Sequence, residues 1–587
     1  MSLFQELKRR NVFRVAVAYI IVAWLLLQVA DTLGPALRLP EWFQSGVAFV
    51  VILGFLPAVI FAWAFELTPE GVKREREVDR SQSITPQTGQ KLNFAIIALL
   101  ALAVVYFAVD KFVLTDAPGT ATSTVQRSVN PSIAVLPFVN MSDDQSNEYF
   151  ADGITEELLN LLAKIPELDV TSRSSAFAFK GKDIDIPTVA GKLNVDHVLE
   201  GSVRKSGVTV RITAQLIEAG TDKHMWSETY DRELTDIFAI QDEIAKEVVD
   251  VLQVTLLGKA PESRATDAEA YSLYLEGLHY LELDGEDDWR KAQLLFEDAL
   301  QIDPSYAPAM YGAARAIREQ ANFGLIDLNV GTEQARAMAH EVVALDPNMS
   351  EAWALLAHIQ MVYDWNWDEA SALAKRALAA GPRNPVALTE MGRVEQIFGR
   401  LDRSLEHRLE AVKLDPLNSL TLRELGLTYW YLQDHEQAVE VFRRNATLNS
   451  DTHGVFANLA IALLGLGDLE GASNALAQEQ NATNINYATA LLAHALGQSE
   501  EALAALQWII DNRGVPLGYQ IAELLSYQGR IDDAYEWLEI SYNNHDGGMS
   551  YLLVDPLLKP LHDDPRWRPL VEKMNMLEYW DAMPGQK

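Results

Sequence analysis

The stretch Leu422–Ser450 restricts the folds open to this chain more than any other. Leu422, Leu425 and Tyr429 recur at helical spacing and share one face of a first helix. Gly426 lies on the same surface, where a side chain would hold a neighbouring helix away. Ala438 and Phe442 sit one turn apart on a second helix, and the unit breaks at Asn449-Ser450. Such a helix–turn–helix cannot bury its apolar side alone; it requires stacked copies.

The copies are present. Asp303-Pro304, Asp346-Pro347, Gly381-Pro382 and Asp415-Pro416 end successive second helices, and Ser450 takes the next equivalent place. Proline forbids helix continuation and moves the residue before it out of the helical region. By subtraction the steps are 43, 35, 34 and 34 residues. A small residue recurs in each second helix: Ala292, Ala335, Ala370, Ser404, Ala438, Ala472, Ala502 and Ala534. Spacing and residue types resemble the tetratricopeptide (TPR) repeat, whose period is about 34. About eight helix pairs are expected across residues 271–545, forming a superhelical solenoid.

Stacked pairs of this type leave a concave surface lined by first helices. Thr389, Arg393, Gln396, Arg423, Leu427, Trp430, Asn458 and Ile461 lie beside the packing positions and are the candidate partner-binding residues. A Trp beside an Arg suits a peptide anchor. Residues 546–587, with Leu557, Leu558, Leu561, Trp567, Leu570, Val571 and Met574, read as a closing segment over the last pair.

The amino-terminal part, residues 1–115, reads as a membrane anchor. Phe13–Leu33, Gly46–Phe65 and Phe94–Leu114 are three apolar runs, each long enough to cross about 30 Å of hydrocarbon as a helix. Lys8, Arg9, Arg10 and Arg14 precede the first run; Lys73, Arg74, Arg76, Arg80 and Lys91 follow the second. Basic loops stay inside, so the expectation is a multi-pass inner-membrane protein with a cytoplasmic N-terminus and periplasmic C-terminal domains. Residues 116–130 read as a flexible tether.

Residues 131–257 read as a small α/β domain in the order β-α-β-α-β-β-β-α, separated from the repeats by a linker, 258–270. Ser132–Pro137 and Leu168–Thr171 are short strands, with a helix capped by Asp152 between them. Pro187–Leu193 is a short helix. His197–Arg204 and Val208–Ile217 flank a Ser206-Gly207 hairpin signal. Val208, Val210, Ile212, Ala214 and Leu216 take one face of the second strand. Lys223–Tyr230 pairs next, and Ile237, Ile240, Ile244, Val248 and Val251 mark an amphipathic helix.

The segments Ser132–Phe138, Tyr149–Leu158, Val198–Val203 and Trp226–Asp231 resemble a bacterial domain related to the TolB amino-terminal domain and FlgO-like proteins. The resemblance implies a signalling or envelope-associated module without established catalysis. In that family it commonly precedes TPR repeats and often follows a winged helix, an adenylate cyclase domain or a Ser/Thr kinase domain. The fold class expected for the whole chain is multidomain: transmembrane helices, a small α/β domain, then an all-α solenoid.

Chemistry is hard to place on this chain. There is no Cys, so no disulfide, thiolate nucleophile or zinc-thiolate site is available. Gly191-Lys192 lacks the rest of a phosphate loop, and His340-Glu341 and His435-Glu436 lack the second His of a zinc protease helix. His358, Asp364 and Asp368 read as a solvated helix end rather than metal ligands. A net charge of −34 argues against nucleic acid as partner. No catalytic residue, metal or cofactor is expected. The expected function is a membrane-anchored scaffold binding protein or peptide partners through the TPR groove. The alternatives are a sensory subunit relaying a signal to an effector and, on the relatives' label alone, a cyclase-like signalling protein.

Overall fold

The computed structural model describes residues 131–583 except 143, 145, 146, 183, 255–264 and 284, together with Tyr19, Ala23, Phe55, 65–68 and 71–74. The chain divides into two units, Met1–Arg127 and Ser128–Lys587. In the first, Tyr19, Ala23 and Phe55 are helical, and the Tyr19 and Phe55 rings meet edge to face at 5.6 Å. Strand β1 (Phe65–Thr68) pairs antiparallel with β2 (Gly71–Arg74).

This corrects the membrane expectation. Among the described residues no helix is long and apolar enough to cross a membrane. The longest, the 18-residue helix Leu328–Leu345, carries Glu333, Arg336 and Glu341 along its length, and buried charge of that density is costly in hydrocarbon. Phe65, the end of the second apolar run, is extended and paired with Arg74. The rest of the three runs and the 116–130 tether lie outside the described residues. The transmembrane fold class, and the inner-membrane placement with a periplasmic C-terminal part, are therefore replaced by a mixed sheet followed by paired helices.

The second unit opens with β3 (Ser132–Val135), β4 (Val139–Asn140), α1 (Glu148–Ala163), β5 (Asp169–Val170), α2 (Arg173–Phe177) and α3 (Ile186–Leu193). Then come β6 (His197–Ser206), β7 (Thr209–Glu218), β8 (Lys223–Glu233) and α4 (Ile237–Val251). The sheet runs β5-β3-β6-β7-β8, parallel on its first three strands and antiparallel on its last, with β4 added beside β6. Gly207 makes the β6–β7 turn at φ +59, a conformation glycine adopts freely. Val210, Ile212, Ala214 and Leu216 are buried in one core with Ile237, Ile240, Ile244 and Val248. Val208 is 71% exposed, because it sits at the turn rather than over the core. Asp152 is not a cap: α1 begins at Glu148, and Asp152, inside it, pairs with Lys180 at 2.5 Å.

Among the described residues eight helix pairs follow. They are α5 (Ala268–Glu282) with α6 (Glu286–Ile302), α7 (Ala307–Asn322) with α8 (Leu328–Leu345), and α9 (Ser350–Ile359) with α10 (Trp367–Ala380). Next are α11 (Pro385–Ile397) with α12 (Leu401–Leu414), α13 (Ser419–Tyr431) with α14 (His435–Leu448), and α15 (Val455–Leu466) with α16 (Leu469–Leu476). The last are α17 (Ala482–Ala495) with α18 (Ser499–Asn512), and α19 (Gly518–Tyr527) with α20 (Ile531–Asn543). All eight small second-helix residues are at most 1% exposed, so each marks a close helix crossing. After two 3-10 turns, Gly547–Tyr551 and Pro556–Leu561, the chain ends in α21 (Trp567–Lys573) and α22 (Leu577–Ala582).

The sheet domain and the first pairs share one core, running from Ile133 to Ala316. Leu275 of α5 fills the notch at Gly153 of α1, where a side chain on the glycine would meet it at 2.5 Å. Tyr271 and Tyr274 add hydrogen bonds: Gln241 Nε2 donates to Tyr271 Oη at 2.7 Å, and Tyr274 Oη donates to Glu157 Oε1 at 3.0 Å. Desolvation, helped by neighbouring Glu156, pushes the Glu157 carboxyl up to about 7. A carboxyl raised on folding contributes less stability as pH climbs from its unfolded value, about 4.5, through its folded one. Glu157→Gln keeps the acceptor for Tyr274 and removes the ionisation. The variant is therefore expected to melt above wild type at pH 8, with the gap shrinking at pH 5.5; parallel melting curves at the two pH values would contradict this.

A candidate partner-binding site

A line of charged side chains runs through the helix pairs, from the first helices α9, α11 and α13 and from the second helix α12. Arg408 is fully buried; its guanidinium donates to the Thr389 carbonyl at 2.9 Å and to Glu424 Oε2 at 3.0 Å. Gly392 makes room for it, since a side chain there would approach Arg408 Nε at 3.0 Å. Arg393 sits between Glu390 at 3.4 Å and Glu424 at 3.8 Å, and donates to Tyr551 Oη at 3.0 Å. His358 Nδ1 lies 3.3 Å from Glu390. Burial pushes the Glu390 and Glu424 carboxyls up, but the cations outweigh it. Glu390 is held down at about 2, chiefly by Arg393 and then His358; Glu424 is lower still, under Arg393, Arg408 and Arg423. Further along, burial and Asp555 push Glu523 well up, while Tyr487 donates to it at 2.6 Å.

Arg393 and Arg423 both pair with Glu424, Arg423 Nη2 donating to Glu424 Oε1 at 3.0 Å, and the Thr389 carbonyl joins them only through Arg408. Gln396 is 1% exposed. Leu427 packs against the apolar cluster that includes Val439 and Phe442. Trp430 lies against His435, ring centroids 5.1 Å apart, and Asn458 and Ile461 are half-buried on α15. Much of this face is covered by the chain itself. Tyr551 stacks on Tyr431, Tyr579 stacks on Phe398 at 4.2 Å, and Trp367 Nε1 donates to the Met574 carbonyl at 2.8 Å.

Strand β5 and the segment after it bind the loops that precede α11 and α13 and the end of α12. Asp169 pairs with Arg383 at 2.6 Å and Lys413 at 3.1 Å. Ser172, Ser174 and Ser175 all donate to Asp415, whose carboxyl burial still pushes up in spite of them. Arg173 pairs with Glu156 and Glu282. The three residues read as a helix end are all engaged: Asp364 pairs with Arg336, Asp368 accepts from Tyr579, and His358 meets Glu390. Among the described residues no group of three His, Cys, Asp or Glu is placed to hold a metal ion.

An open cleft of about 750 Å³ lies where α3, the loop before α13, α14 and α15 meet. Its apolar part comes from Leu417, Val439, Leu448, Leu463 and Leu466. Lys192, Arg443 and Arg444 line it, as do Glu436, Glu440 and Asp468. Sequence reasoning missed this site because α3 and α14 are over 240 residues apart. The one local signal was Arg443-Arg444, a cation pair in a strongly acidic chain.

A profile of the HilA/YgeH-like transcriptional regulator second domain matches residues 129–247, and a tetratricopeptide repeat profile matches 424–452. The chain thus carries a TPR repeat at 424–452, within the array of helix pairs. A curated relative named putative adenylate cyclase 3, from Rhizobium meliloti (strain 1021), is 44% identical over 188 residues, 31% of this chain and 32% of the relative. The match therefore spans less than half of that relative's length. Solved structures with similar helices include Pseudomonas aeruginosa pilF, at 22% identity over 35% of this chain and 93% of that one, TM-score 0.28. PilW, a type IV pilus biogenesis factor, is 16% identical over 41% and 100%, TM-score 0.31. YrrB, titled a TPR protein with an unusual peptide-binding site, is 17% identical over 36% and 97%, TM-score 0.25.

Proposed function

We propose that the sheet domain and TPR solenoid together act as a binding scaffold that holds a peptide segment of a protein partner. The cleft beside α14 carries this reading. It is the place where the sheet domain and the repeats offer an apolar floor and charged rims on one concave surface. Exposed apolar side chains at a rimmed depression mark interaction sites, and Leu448 and Leu466 remain 44% and 42% exposed there. No bond is made or broken in this role.

A photo-crosslinking amino acid at Leu448, with a control at Leu294 on α6, tests the proposal in cells. Leu294 is 60% exposed and lies outside the cleft. The expected result is one recurrent peptide segment joined at Leu448 and missing at Leu294. Matching crosslink profiles at the two positions would overturn the assignment. A second reading, an input module of a signalling protein, is supported by the names of the relatives: a transcriptional regulator and an adenylate cyclase. A partner segment from a nucleotide cyclase or a DNA-binding protein would favour it.

A further inference from the structure

The cleft has opposite charges at its two ends, and we infer that it selects an extended peptide with an acidic residue, an apolar residue and a basic residue in line. This rests on the scaffold reading above and names the partner's chemistry. Helix α14 sets the axis. Glu436 lies in its first turn, Glu440 near its middle, and Arg443 and Arg444 one turn further toward its end. Neighbouring elements extend both ends. The α15 C-terminus lies beside the start of α14, since a side chain on Gly465 would meet His435 Nδ1 at 2.7 Å; Asp468 follows it into the same rim. At the other end Arg444 Nη2 donates to the Pro416 carbonyl at 2.8 Å, Asn449 Nδ2 donates to the Leu417 carbonyl at 3.1 Å, and Lys192 of α3 closes the rim.

Among the described residues Lys192 and Arg443 are exposed and take part in no ion pair. Two cations outside any ion pair are thus presented at one end, Lys192 with its Nζ 5.9 Å from the Phe179 ring centre, in a chain of net charge −34. Eight residues of helix separate Glu436 from Arg444, roughly 12 Å at the helical rise. An extended peptide covers that distance in about four residues. The apolar lining of the cleft, Val439 with Leu417, Leu448, Leu463 and Leu466, receives the apolar side chain.

Binding to the full chain is measured with three labelled dodecapeptides, each with Gly-Ser flanks around a five-residue centre. The centres are Asp-Thr-Leu-Thr-Lys, Asp-Thr-Leu-Thr-Asp and Lys-Thr-Leu-Thr-Lys. The mixed peptide is expected to bind about fivefold more tightly than either uniform one, the sum of modest surface ion pairs at both ends. The exposed double variant Lys192→Glu/Arg443→Glu, checked for an unchanged melting temperature, should move the preference to the Lys-Thr-Leu-Thr-Lys peptide. Equal binding of all three peptides, or a preference that survives the double variant, overturns the inference. Tightest binding of the Asp-Thr-Leu-Thr-Asp peptide, lost in the double variant, overturns the two-ended selection and leaves the cleft as a partner site. Loss of the Leu448 crosslink as well would remove both.

Discussion

Replacing Glu424 by alanine is expected to destabilise the second unit by about 3–5 kcal/mol, the cost typical of breaking a buried ion pair from one side. Arg408, with its guanidinium 0% exposed, would keep only the Thr389 carbonyl, and Arg393 would lose one of its two carboxylates. Set against a total of about 5–15 kcal/mol for ordinary domains, the change is large. Urea unfolding followed by circular dichroism measures it. The double variant Arg408→Met/Glu424→Leu should recover part of the loss, because it removes the stranded charge along with its partner. A single variant within about 0.5 kcal/mol of wild type would mean that water or neighbouring acids satisfy Arg408 without Glu424.

Gly426→Leu is the second large expectation. The first side-chain carbon at this position would fall 2.5 Å from Cε1 of Phe442, and two more ring atoms lie within 2.9 Å. Phe442 is 2% exposed and its ring has no room to retreat. Overpacking of this kind costs about 1–3 kcal/mol, and the loss should appear as a lower melting temperature. Gly191→Ala is the informative contrast: Gly191 also lies in a helix, α3, but nothing stands within 4 Å of an added methyl. That change should be neutral or stabilising by up to about 1 kcal/mol, through helix propensity alone.

The repeat register was legible because it is written locally. Gly426, Ala438 and Phe442 pack against residues of their own helix pair, and the small second-helix residues recur at the period of the fold. The strands β6 and β7 were legible for the same reason: alternation and a glycine turn fix both face and hairpin. Helix α2 was not, since its five residues have no period; what holds them is Asp415, 240 residues later. Strand β4, two residues long, depends on its partner β6 in the same way. The candidate groove residues lie on the first helices α11, α13 and α15, yet periodicity says only which way a side chain points. It cannot say that Tyr551 and Tyr579 return to cover that side. The amino-terminal runs illustrate a different limit: hydropathy registers a stretch of apolar residues, not whether its end continues as helix or turns into a hairpin at Phe65.

The ties from Asp415 to the segment after β5, and from Asp169 of β5 to Arg383 and Lys413, change how this solenoid should respond to stress. A free array of helix pairs behaves as a row of dominoes, fraying from one end while distant members stand. Here the fourth and fifth pairs are fastened to a body that also packs on the first. Loosening the first pair therefore strains the fourth, and the amino-terminal half should melt as one block rather than peel. Its curvature is set like a spring with both ends pinned, so a partner in the cleft beside α14 meets a wall of fixed pitch.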